Sequence, residues 1–223
     1  MSCRWESASP NYVETARPRA AALLIPGSDR TDRDSDVRLP LGQKLRGGIT
    51  RVIAERLDAI GVSSLRFDKR GTGASEGDHL RAGMDQRLAD VRAARDWLAA
   101  RAPGLPLLVI GHSEGTYYAA RLAADGHAAG AVLLSGAARP GREVITYQVA
   151  EMAERVPAST KLILRLMRTD AVRAQRKNQA KIMASSADVL RLQGVRVNAR
   201  WVRDPRVGAR QRRRPRRVRA DTG

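Results

Sequence analysis

A short apolar run leads directly into a glycine-flanked serine near the middle of the chain. Residues 106–110 read Pro-Leu-Leu-Val-Ile, and residues 111–115 read Gly-His-Ser-Glu-Gly. A buried strand that runs into G-x-S-x-G predicts a sharp turn from strand to helix, because glycines on both sides allow the backbone to approach itself closely. The pattern therefore predicts that Ser113 lies on an exposed, strained corner between a strand and a helix.

Short apolar runs alternate with amphipathic segments on either side of this serine. We predict strands at residues 20–26, 62–67, 106–110 and 131–135, with helices between them. Apolar strands separated by helices are typical of a parallel sheet that is covered on both faces, so the predicted fold class is α/β. Such sheets carry their functional loops at the carboxyl ends of the strands. Residues 27–28, residues 68–73 and Ser113 all fall at that edge.

The character of the sequence changes twice along the chain. We divide it into a polar N-terminal segment (1–19), an α/β core (20–142), a helical cap (143–200) and a basic, disordered tail (201–223). For residues 1–19 the prediction is an edge hairpin or disorder. Residues 143–200 show no strand signal, and we predict helices at residues 144–156, 159–169, 171–184 and 188–197. This segment follows the edge that carries Ser113, so we favour a substrate-covering cap over additional helical core.

Three motifs stand in order at the carboxyl ends of the predicted strands. Residues 26–34 read Pro-Gly-Ser-Asp-Arg-Thr-Asp-Arg-Asp, residues 67–75 read Phe-Asp-Lys-Arg-Gly-Thr-Gly-Ala-Ser, and residues 111–115 complete the set. Together they resemble the α/β-hydrolase superfamily and, within it, bacterial carboxylesterases, over residues 20–200. Asp29 stands where those esterases more often have glycine. The resemblance implies the α/β-hydrolase fold with a helical cap, and hydrolysis of a small-molecule carboxylic ester without a cofactor or a metal.

The resemblance also implies roles for the residues around the turn. Ser113 would be the nucleophile that forms an acyl-serine intermediate, and Gly111 and Gly115 would be the glycines of the nucleophile elbow. The backbone N–H groups of Ser28 and Glu114 would form the oxyanion hole. The Glu114 amide stands at a predicted helix N-terminus, whose partial positive charge favours an oxyanion.

The base that should activate the serine is harder to find. A serine hydroxyl is a weak nucleophile until a neighbouring base takes its proton, and the chain has three histidines. We expect His112 to pack beneath the turn and His127 to lie at the opposite edge of the sheet from Ser113. His79 falls on the correct edge, where we expect a solvated loop residue, with a surrogate base as the alternative.

Other polar groups are expected to have structural roles. Asp68 and Arg70 should fix the loop after the second strand through hydrogen bonds. Residues 32–36 have the first spacings of a calcium loop, but Val37 and Gln43 stand where that loop needs glycine and glutamate. No cysteine and histidine cluster suggests zinc, so we predict no metal site.

The resemblance implies a catalytic aspartate and histidine after the cap, and the sequence shows neither. After Asp204 the pattern stops, and residues 205–223 are rich in arginine without an apolar period, which predicts disorder. One explanation is a basic tail that attracts phosphate groups. The other, which we favour, is an out-of-frame or truncated C-terminus, because arginine outnumbers lysine 36 to 5, which is typical of GC-rich coding. The chain would then be nearly inactive, and the strand at residues 131–135 would become an exposed apolar edge.

The motifs, the resemblance and the charge leave three functions open. These are an impaired serine hydrolase, a non-catalytic module that binds small molecules, and a nucleic-acid binder that acts through the tail. The formal charge of +18 suggests anionic partners, but the last 23 residues carry nine of the arginines, so we expect no specific nucleic acid. A single cysteine, Cys3, and the lack of an apolar leader or membrane-length run predict a cytoplasmic protein. The oligomeric state stays open.

Overall fold

The computed structural model describes residues 11–28, 30–38, 44–136, 141–159, 161 and 170–204. In chain order the strands are β1 (Asn11–Val13), β2 (Ala20–Ile25), β3 (Val37–Arg38), β4 (Lys44–Leu45), β5 (Val62–Arg66), β6 (Leu107–His112), β7 (Gly130–Leu134), β8 (Val189–Leu192) and β9 (Val195–Asn198). The helices are α1 (Ile49–Ala59), α2 (Met84–Arg101), α3 (Gly115–Ala124), α4 (Gly141–Arg155), α5 (Ala171–Ala184) and α6 (Ala199–Arg203). None of these described helices is both long and apolar enough to cross a lipid bilayer.

The central sheet has the strand order β1-β5-β2-β6-β7. Strands β5, β2, β6 and β7 run parallel, and β1 pairs antiparallel with β5 at one edge. Parallel neighbours need crossover connections, and α1, α2 and α3 supply them between the successive strands β2, β5, β6 and β7. The predicted α/β class is confirmed, and the four predicted strands are present as β2, β5, β6 and β7.

Side chains of β2 alternate between two apolar cores, one on each face of the sheet. Leu23 and Ile25 pack into a core with buried residues of α2 and α3, whereas Ala22 and Leu24 pack into a second core with Ala54 of α1. All four β2 side chains are at most 2% exposed. Burial on both faces explains why the strand reads as an unbroken apolar run instead of an alternating one.

The two edges of the sheet differ from each other. Strand β1 lies at one edge of the sheet and pairs with β5, which is distant in sequence. An edge hairpin within residues 1–19 stays a prediction, because residues 1–10 lie outside the described part. The strand predicted at residues 131–135 is present as β7, but it is not a buried strand, because Val132 is 46% and Leu133 is 51% exposed. Within the described residues β7 pairs with β6 alone. Its exposure agrees with the expectation of an apolar edge.

Residues 188–197, predicted to be helical, form an antiparallel hairpin instead. Strands β8 and β9 pair through the register Val189↔Asn198 to Leu192↔Val195. Gln193 and Gly194 make the connection with φ angles of 51° and 83°. Two-residue hairpin turns favour positive φ at both positions, and glycine adopts it without strain. The helix prediction, and the absence of strands between residues 143 and 200, are therefore wrong.

Helices α4 and α5 agree with the predicted helices at residues 144–156 and 171–184. They pack on each other, and the Gln179 side-chain amide lies 3.5 Å from the Thr146 hydroxyl. The predicted helix at residues 159–169 falls almost wholly outside the described residues. The predicted tail begins too early, because residues 201–203 belong to α6, and residues 205–223 lie outside the described part. The role of residues 143–200 as a substrate-covering cap stays a prediction.

Candidate active site

Ser113 occupies the corner between β6 and α3 in a strained backbone conformation. Its φ angle is 52°, in the left-handed region that residues with a Cβ atom rarely adopt. A Cβ atom on Gly111 would lie 2.3 Å from the Gly115 carbonyl oxygen, and one on Gly115 would lie 2.3 Å from the Ile25 carbonyl oxygen. Both positions are closed to side chains. The close contact of the α3 N-terminus with β2 and β6 therefore holds the serine at the corner.

Backbone hydrogen bonds fix both sides of this corner. The Ser113 N–H group donates to the Leu134 carbonyl at 2.9 Å, and the Ser113 carbonyl accepts from the Thr116 N–H group at 3.1 Å. The Thr116 hydroxyl donates to the same carbonyl at 2.6 Å. The Ser113 side chain is half-buried, and its hydroxyl has no hydrogen-bond partner among the described residues. No general base contacts the hydroxyl within that part of the chain.

The loop after β2 runs alongside the serine. A Cβ atom on Gly27 would lie 3.2 Å from the Ser113 Cβ, so the backbone next to Ser28 packs against the corner. The Thr31 hydroxyl lies 3.1 Å from the Gly27 carbonyl oxygen and 3.0 Å from the Ser28 carbonyl oxygen. The Lys69 ammonium group donates a further hydrogen bond to the Gly27 carbonyl. Two side chains therefore hold this loop in place.

The two amides predicted for the oxyanion hole belong to this loop and to the corner itself. Neither the Ser28 N–H group nor the Glu114 N–H group has a hydrogen-bond partner among the residues that the structure describes. Glu114 caps the N-terminus of α3, where unpaired N–H groups create a positive potential. Unpaired donors beside a serine are what the binding of an oxyanion requires, and this role stays a prediction.

The Glu114 side chain is the centre of a buried polar cluster. Its carboxylate accepts hydrogen bonds from Arg87 Nη1 at 2.8 and 2.9 Å, from the Tyr118 hydroxyl at 2.5 Å and from Trp201 Nε1 at 3.1 Å. Burial by itself raises the pKa of Glu114, but the positive charges of Arg87 and Lys69 and these hydrogen bonds outweigh it and hold the pKa below its usual value. The same carboxylate raises the pKa of Arg87.

Sequence analysis missed this cluster, since it used only the backbone amide of Glu114. The partners Arg87 and Trp201 stand 27 residues before and 87 residues after Glu114, so no local spacing predicts the contact. One signal was present. A glutamate at the corner that follows a buried strand must find a partner if its side chain turns inward. Tyr118 stands one helical turn further along the sequence, and its hydroxyl lies 2.5 Å from the Glu114 carboxylate.

His79 is buried, so the prediction of a solvated loop residue is wrong. The residue is 9% exposed, and its backbone carbonyl accepts from Asn198 Nδ2 at 3.2 Å and from Arg87 Nη2 at 3.4 Å. Burial first, and the charges of Arg87 and Lys69 second, lower the pKa of His79 to about 4. Its imidazole is therefore neutral at pH 7. Within the described residues no hydrogen bond joins it to Ser113.

The other two histidines lie in different places. A Cβ atom on Gly27 would lie 3.2 Å from His112 Nδ1, so the half-buried imidazole packs against that loop. Burial lowers the pKa of His112. His127 lies between α3 and β7, exposed, and its carbonyl accepts from Arg95 Nε at 2.9 Å. It stands at the amino ends of the strands, opposite Ser113, as predicted.

Asp68 fixes the loop after β5, which confirms the predicted structural role. Its carboxylate accepts from the Arg33 N–H group at 2.7 Å, from the Arg33 guanidinium at 2.6 and 3.1 Å, and from the Ala74 N–H group at 2.9 Å. Burial raises the pKa of Asp68, but these hydrogen bonds and the Arg33 charge outweigh it and lower the pKa. Arg70 donates to Asp90 from Nε at 3.0 Å.

The acidic segment at residues 32–36 is part of the backbone structure. Asp32 Oδ1 accepts from the N–H groups of Asp34 and Asp36, both at 3.0 Å. Asp34 pairs with Arg66, and Asp36 Oδ1 accepts from the Gly48 N–H group at 3.1 Å. Among the described residues no group of three or more His, Cys, Asp or Glu side chains is arranged to hold a metal ion.

Ser113 is a strained serine that follows a central strand of a parallel sheet, and helices cover both faces of that sheet. This arrangement is the hallmark of α/β hydrolases, and this chain has that fold. Its sequence matches the family described as serine aminopeptidase, S33, over residues 46–217, and the chain belongs to that family. No curated protein matches the sequence.

Solved structures with the same fold include three relatives of low identity. Est1E from Butyrivibrio proteoclasticus, with ferulic acid bound, is 17% identical with a TM-score of 0.52, over 89% of this chain and 66% of that one. An esterase from Pyrococcus furiosus is 19% identical with a TM-score of 0.50, over 71% and 54%. The α/β hydrolase GrgF from Penicillium is 15% identical with a TM-score of 0.50, over 87% and 66%. The chain spans about half the length of the first solved structures that it matches, 55% and 56%.

Proposed function

We propose that Ser113 attacks carboxylic esters to form an acyl-serine intermediate, and that the described residues supply the nucleophile and the oxyanion donors without a general base. The observation that carries the proposal is the φ angle of 52° at Ser113, between two glycines that are closed to side chains. A strained serine persists only where its surroundings enforce it, and such strain is concentrated at functional sites.

The chemistry follows from the groups at this corner. The Ser113 hydroxyl loses its proton to solvent water or hydroxide as its oxygen bonds to the ester carbonyl carbon, and the electron pair of the carbonyl bond moves onto the carbonyl oxygen. The N–H groups of Ser28 and Glu114, which have no partners among the described residues, stabilise that oxyanion. Collapse of the tetrahedral intermediate expels the phenolate, or an alkoxide that takes up a proton from water, and leaves the acyl-serine. Water then attacks the acyl carbon and releases the carboxylic acid and free Ser113.

Among the residues that the structure describes no base contacts Ser113, which supports slow turnover by this chain. The surrogate base that the sequence suggests, His79, has a pKa of about 4 and would be a weaker base than free imidazole. Where triad members are removed from serine hydrolases, the oxyanion hole and substrate binding alone leave a residual rate of roughly 10³–10⁴-fold over water. We therefore propose a weak, Ser113-dependent activity.

Esters, rather than amides, are the substrates that this arrangement favours. An amine leaves only after it gains a proton from a general acid, whereas an activated phenolate leaves without one. Among the described residues no acid contacts Ser113. We therefore expect p-nitrophenyl esters to react and aminoacyl p-nitroanilides to remain intact. This expectation differs from the peptidase activity in the family's description, which is serine aminopeptidase, S33.

The test measures p-nitrophenol release from p-nitrophenyl acetate and butyrate by the wild type, Ser113→Ala and Ser135→Ala. Ser135 is a matched control because it is also a serine with positive φ, at 53°, after β7. We expect p-nitrophenol release by the wild type and by Ser135→Ala, and none by Ser113→Ala. We also expect a fluorophosphonate probe to label Ser113, as detected by mass spectrometry. Equal rates in the wild type and Ser113→Ala, without labelling, would overturn the proposal.

Substrate class and location also remain proposals. A small-molecule ester, a cytoplasmic location and no specific nucleic-acid partner are the predictions that we keep. A non-catalytic binding module would behave differently, since its ligand would still bind after Ser113→Ala and no labelling would occur. A nucleic-acid binder would lose affinity steeply as salt rises, and would lose it entirely in a chain that ends at Asp204.

A further inference from the structure

Glu114 combines a backbone amide of the predicted oxyanion hole with a buried side-chain carboxylate. Its backbone N–H group stands beside Ser113, and its carboxylate lies inside the protein, where the side chain is 4% exposed. Arg87, whose own side chain is 8% exposed, forms the ion pair with it. The carboxylate and the backbone N–H group of Glu114 are connected through the same Cα atom, so hydrogen bonds that hold the carboxylate also restrict that Cα atom. The position of that amide therefore depends on the partners of the side chain.

One of those partners is distant from Glu114 in the sequence. Trp201, in α6, donates from Nε1 to the Glu114 carboxylate at 3.1 Å, and its ring centroid lies 5.8 Å from the Arg87 guanidinium carbon. Asn198 places this helix, since its side chain accepts from the Trp201 N–H group at 2.9 Å and donates to the Ala82 carbonyl at 2.9 Å. The segment after the β8–β9 hairpin is therefore hydrogen-bonded to the nucleophile corner.

We propose that Arg87, Tyr118 and Trp201 are positioning residues for the oxyanion hole, acting through the Glu114 carboxylate. The inference rests on the proposed function, because it concerns the same amide. Docking of α6 completes the set of hydrogen bonds around Glu114, so the segment beyond residue 188 sets the geometry of the site without contacting substrate.

The physical reason is the cost of leaving a buried charge without its partners. Loss of the Trp201 donor removes one hydrogen bond from a buried carboxylate, which then shifts toward Arg87 and Tyr118. That shift moves the amide that must meet an oxyanion at about 2.7–3.1 Å. A displacement of this kind lowers the rate of adduct formation more than it weakens the first encounter with substrate.

The first test is the rate of fluorophosphonate labelling of Ser113, measured as a maximal rate and a half-saturating concentration. Trp201→Phe keeps an aromatic ring and loses the N–H donor, and Glu114→Gln keeps the shape of the side chain and loses its charge. Trp97→Phe is the matched control, because Trp97 also stacks on an arginine, with the Arg101 guanidinium carbon 3.4 Å from its ring centroid. We expect the maximal rate to fall about tenfold in the first two variants, with the half-saturating concentration unchanged.

The second test is hydrogen exchange of the peptide that covers residues 112–117, which needs no reaction at the serine. We expect exchange to accelerate about tenfold in Trp201→Phe and Glu114→Gln and to stay unchanged in Trp97→Phe. Faster exchange together with a slower maximal rate supports the positioning role. Labelling and exchange equal to those of the wild type in folded Trp201→Phe would overturn it.

The two proposals fail in different ways. If the wild type is not labelled, the proposed function fails, and the exchange experiment alone decides whether Glu114 and Trp201 hold the corner. If the wild type is labelled and both variants label at the same maximal rate, the proposed function stands and the positioning role is wrong. A fall in stability alone, without a change in the maximal rate, also counts against the positioning role.

Discussion

The Ser113 amide donates a hydrogen bond to the Leu134 carbonyl at 2.9 Å, so the strained corner is tied to β7. This bond continues the parallel pairing of β6 with β7, whose last register pair is His112↔Leu134. Strand β7 is the exposed edge of the sheet within the described residues. The position of Ser113 therefore depends both on the buried glycine contacts beneath it and on an edge strand that solvent reaches.

A methyl group at Gly115 should disrupt this corner. In Gly115→Ala the new Cβ would lie 2.3 Å from the Ile25 carbonyl oxygen, which belongs to the backbone of a central strand and cannot move aside. We expect a loss of stability of about 1–3 kcal/mol, measured by urea unfolding, together with slower labelling of Ser113. Gly130→Ala is the control, because its nearest neighbour is the end of a Leu108 side chain at 3.4 Å. Equal stability of the two variants would contradict the prediction.

Lys69 should matter to the loop that carries Ser28. Its ammonium group donates to the Gly27 carbonyl and is 9% exposed, so Lys69→Met keeps the aliphatic stem and removes the donor. We expect the labelling rate of Ser113 to fall about tenfold, because the predicted oxyanion amide is the next one along the loop. Lys161→Met serves as the control, since exposed Lys161 donates to the Glu154 carbonyl far along the chain. An unchanged rate in Lys69→Met would show that the loop holds its position without this bond.

The sequence was sufficient to predict the centre of the sheet. Residues buried on both faces of a parallel sheet produce continuous apolar runs, and β2, β5 and β6 were located within two residues of their observed ends. The hairpin β8–β9 was mispredicted for the opposite reason. Its strands are short and only partly buried, so they have no clear apolar period. Only Gly194, which adopts a positive φ angle without strain, marks the turn.

Only the part of the site that is formed by neighbouring residues in the sequence could be predicted. The spacing of Gly111, Ser113 and Gly115 is set within five residues, so the corner could be recognised from the motif. The burial of His79 and the bonds between Glu114 and Trp201 depend on how α6 packs against the loop before α2. Contacts between residues so distant in sequence are consequences of tertiary packing, and a single sequence carries no local signal for them.

His79 should make stability depend on pH below neutrality. Its folded pKa of about 4 lies below the usual value of 6.5, so the unfolded chain binds the proton more readily between those values. Stability should therefore be lost as pH falls from 6.5 toward 4, by up to about 3 kcal/mol. The measurement is the free energy of unfolding by urea at pH 7.5 and at pH 5. The difference between the two values that His79 causes should vanish in His79→Gln and persist in the exposed control His127→Gln.

Asp68 should contribute stability with a different pH window. Its folded pKa lies below the usual value of 3.8, so its contribution is present above that value and is lost as pH falls through the folded pKa. Asp68→Asn removes the carboxylate charge that pairs with Arg33, and we expect a loss of about 3 kcal/mol at pH 7. Asp96→Asn, whose carboxylate is 68% exposed beside Arg95, should change stability by less than about 0.5 kcal/mol. Similar losses in both variants would rule out a special role for Asp68.

The apolar edge of β7 should promote self-association. Leu133 is 51% exposed on a strand that pairs on one side only within the described residues, and such edges are templates for pairing with another chain. Leu133→Lys places a charge on that edge, so we expect the apparent mass from light scattering to fall toward that of a monomer. Val52→Lys is the matched control, because Val52 is 50% exposed on α1, where no strand edge is available. If both lysine variants reduce association equally, added charge rather than the strand edge is the cause.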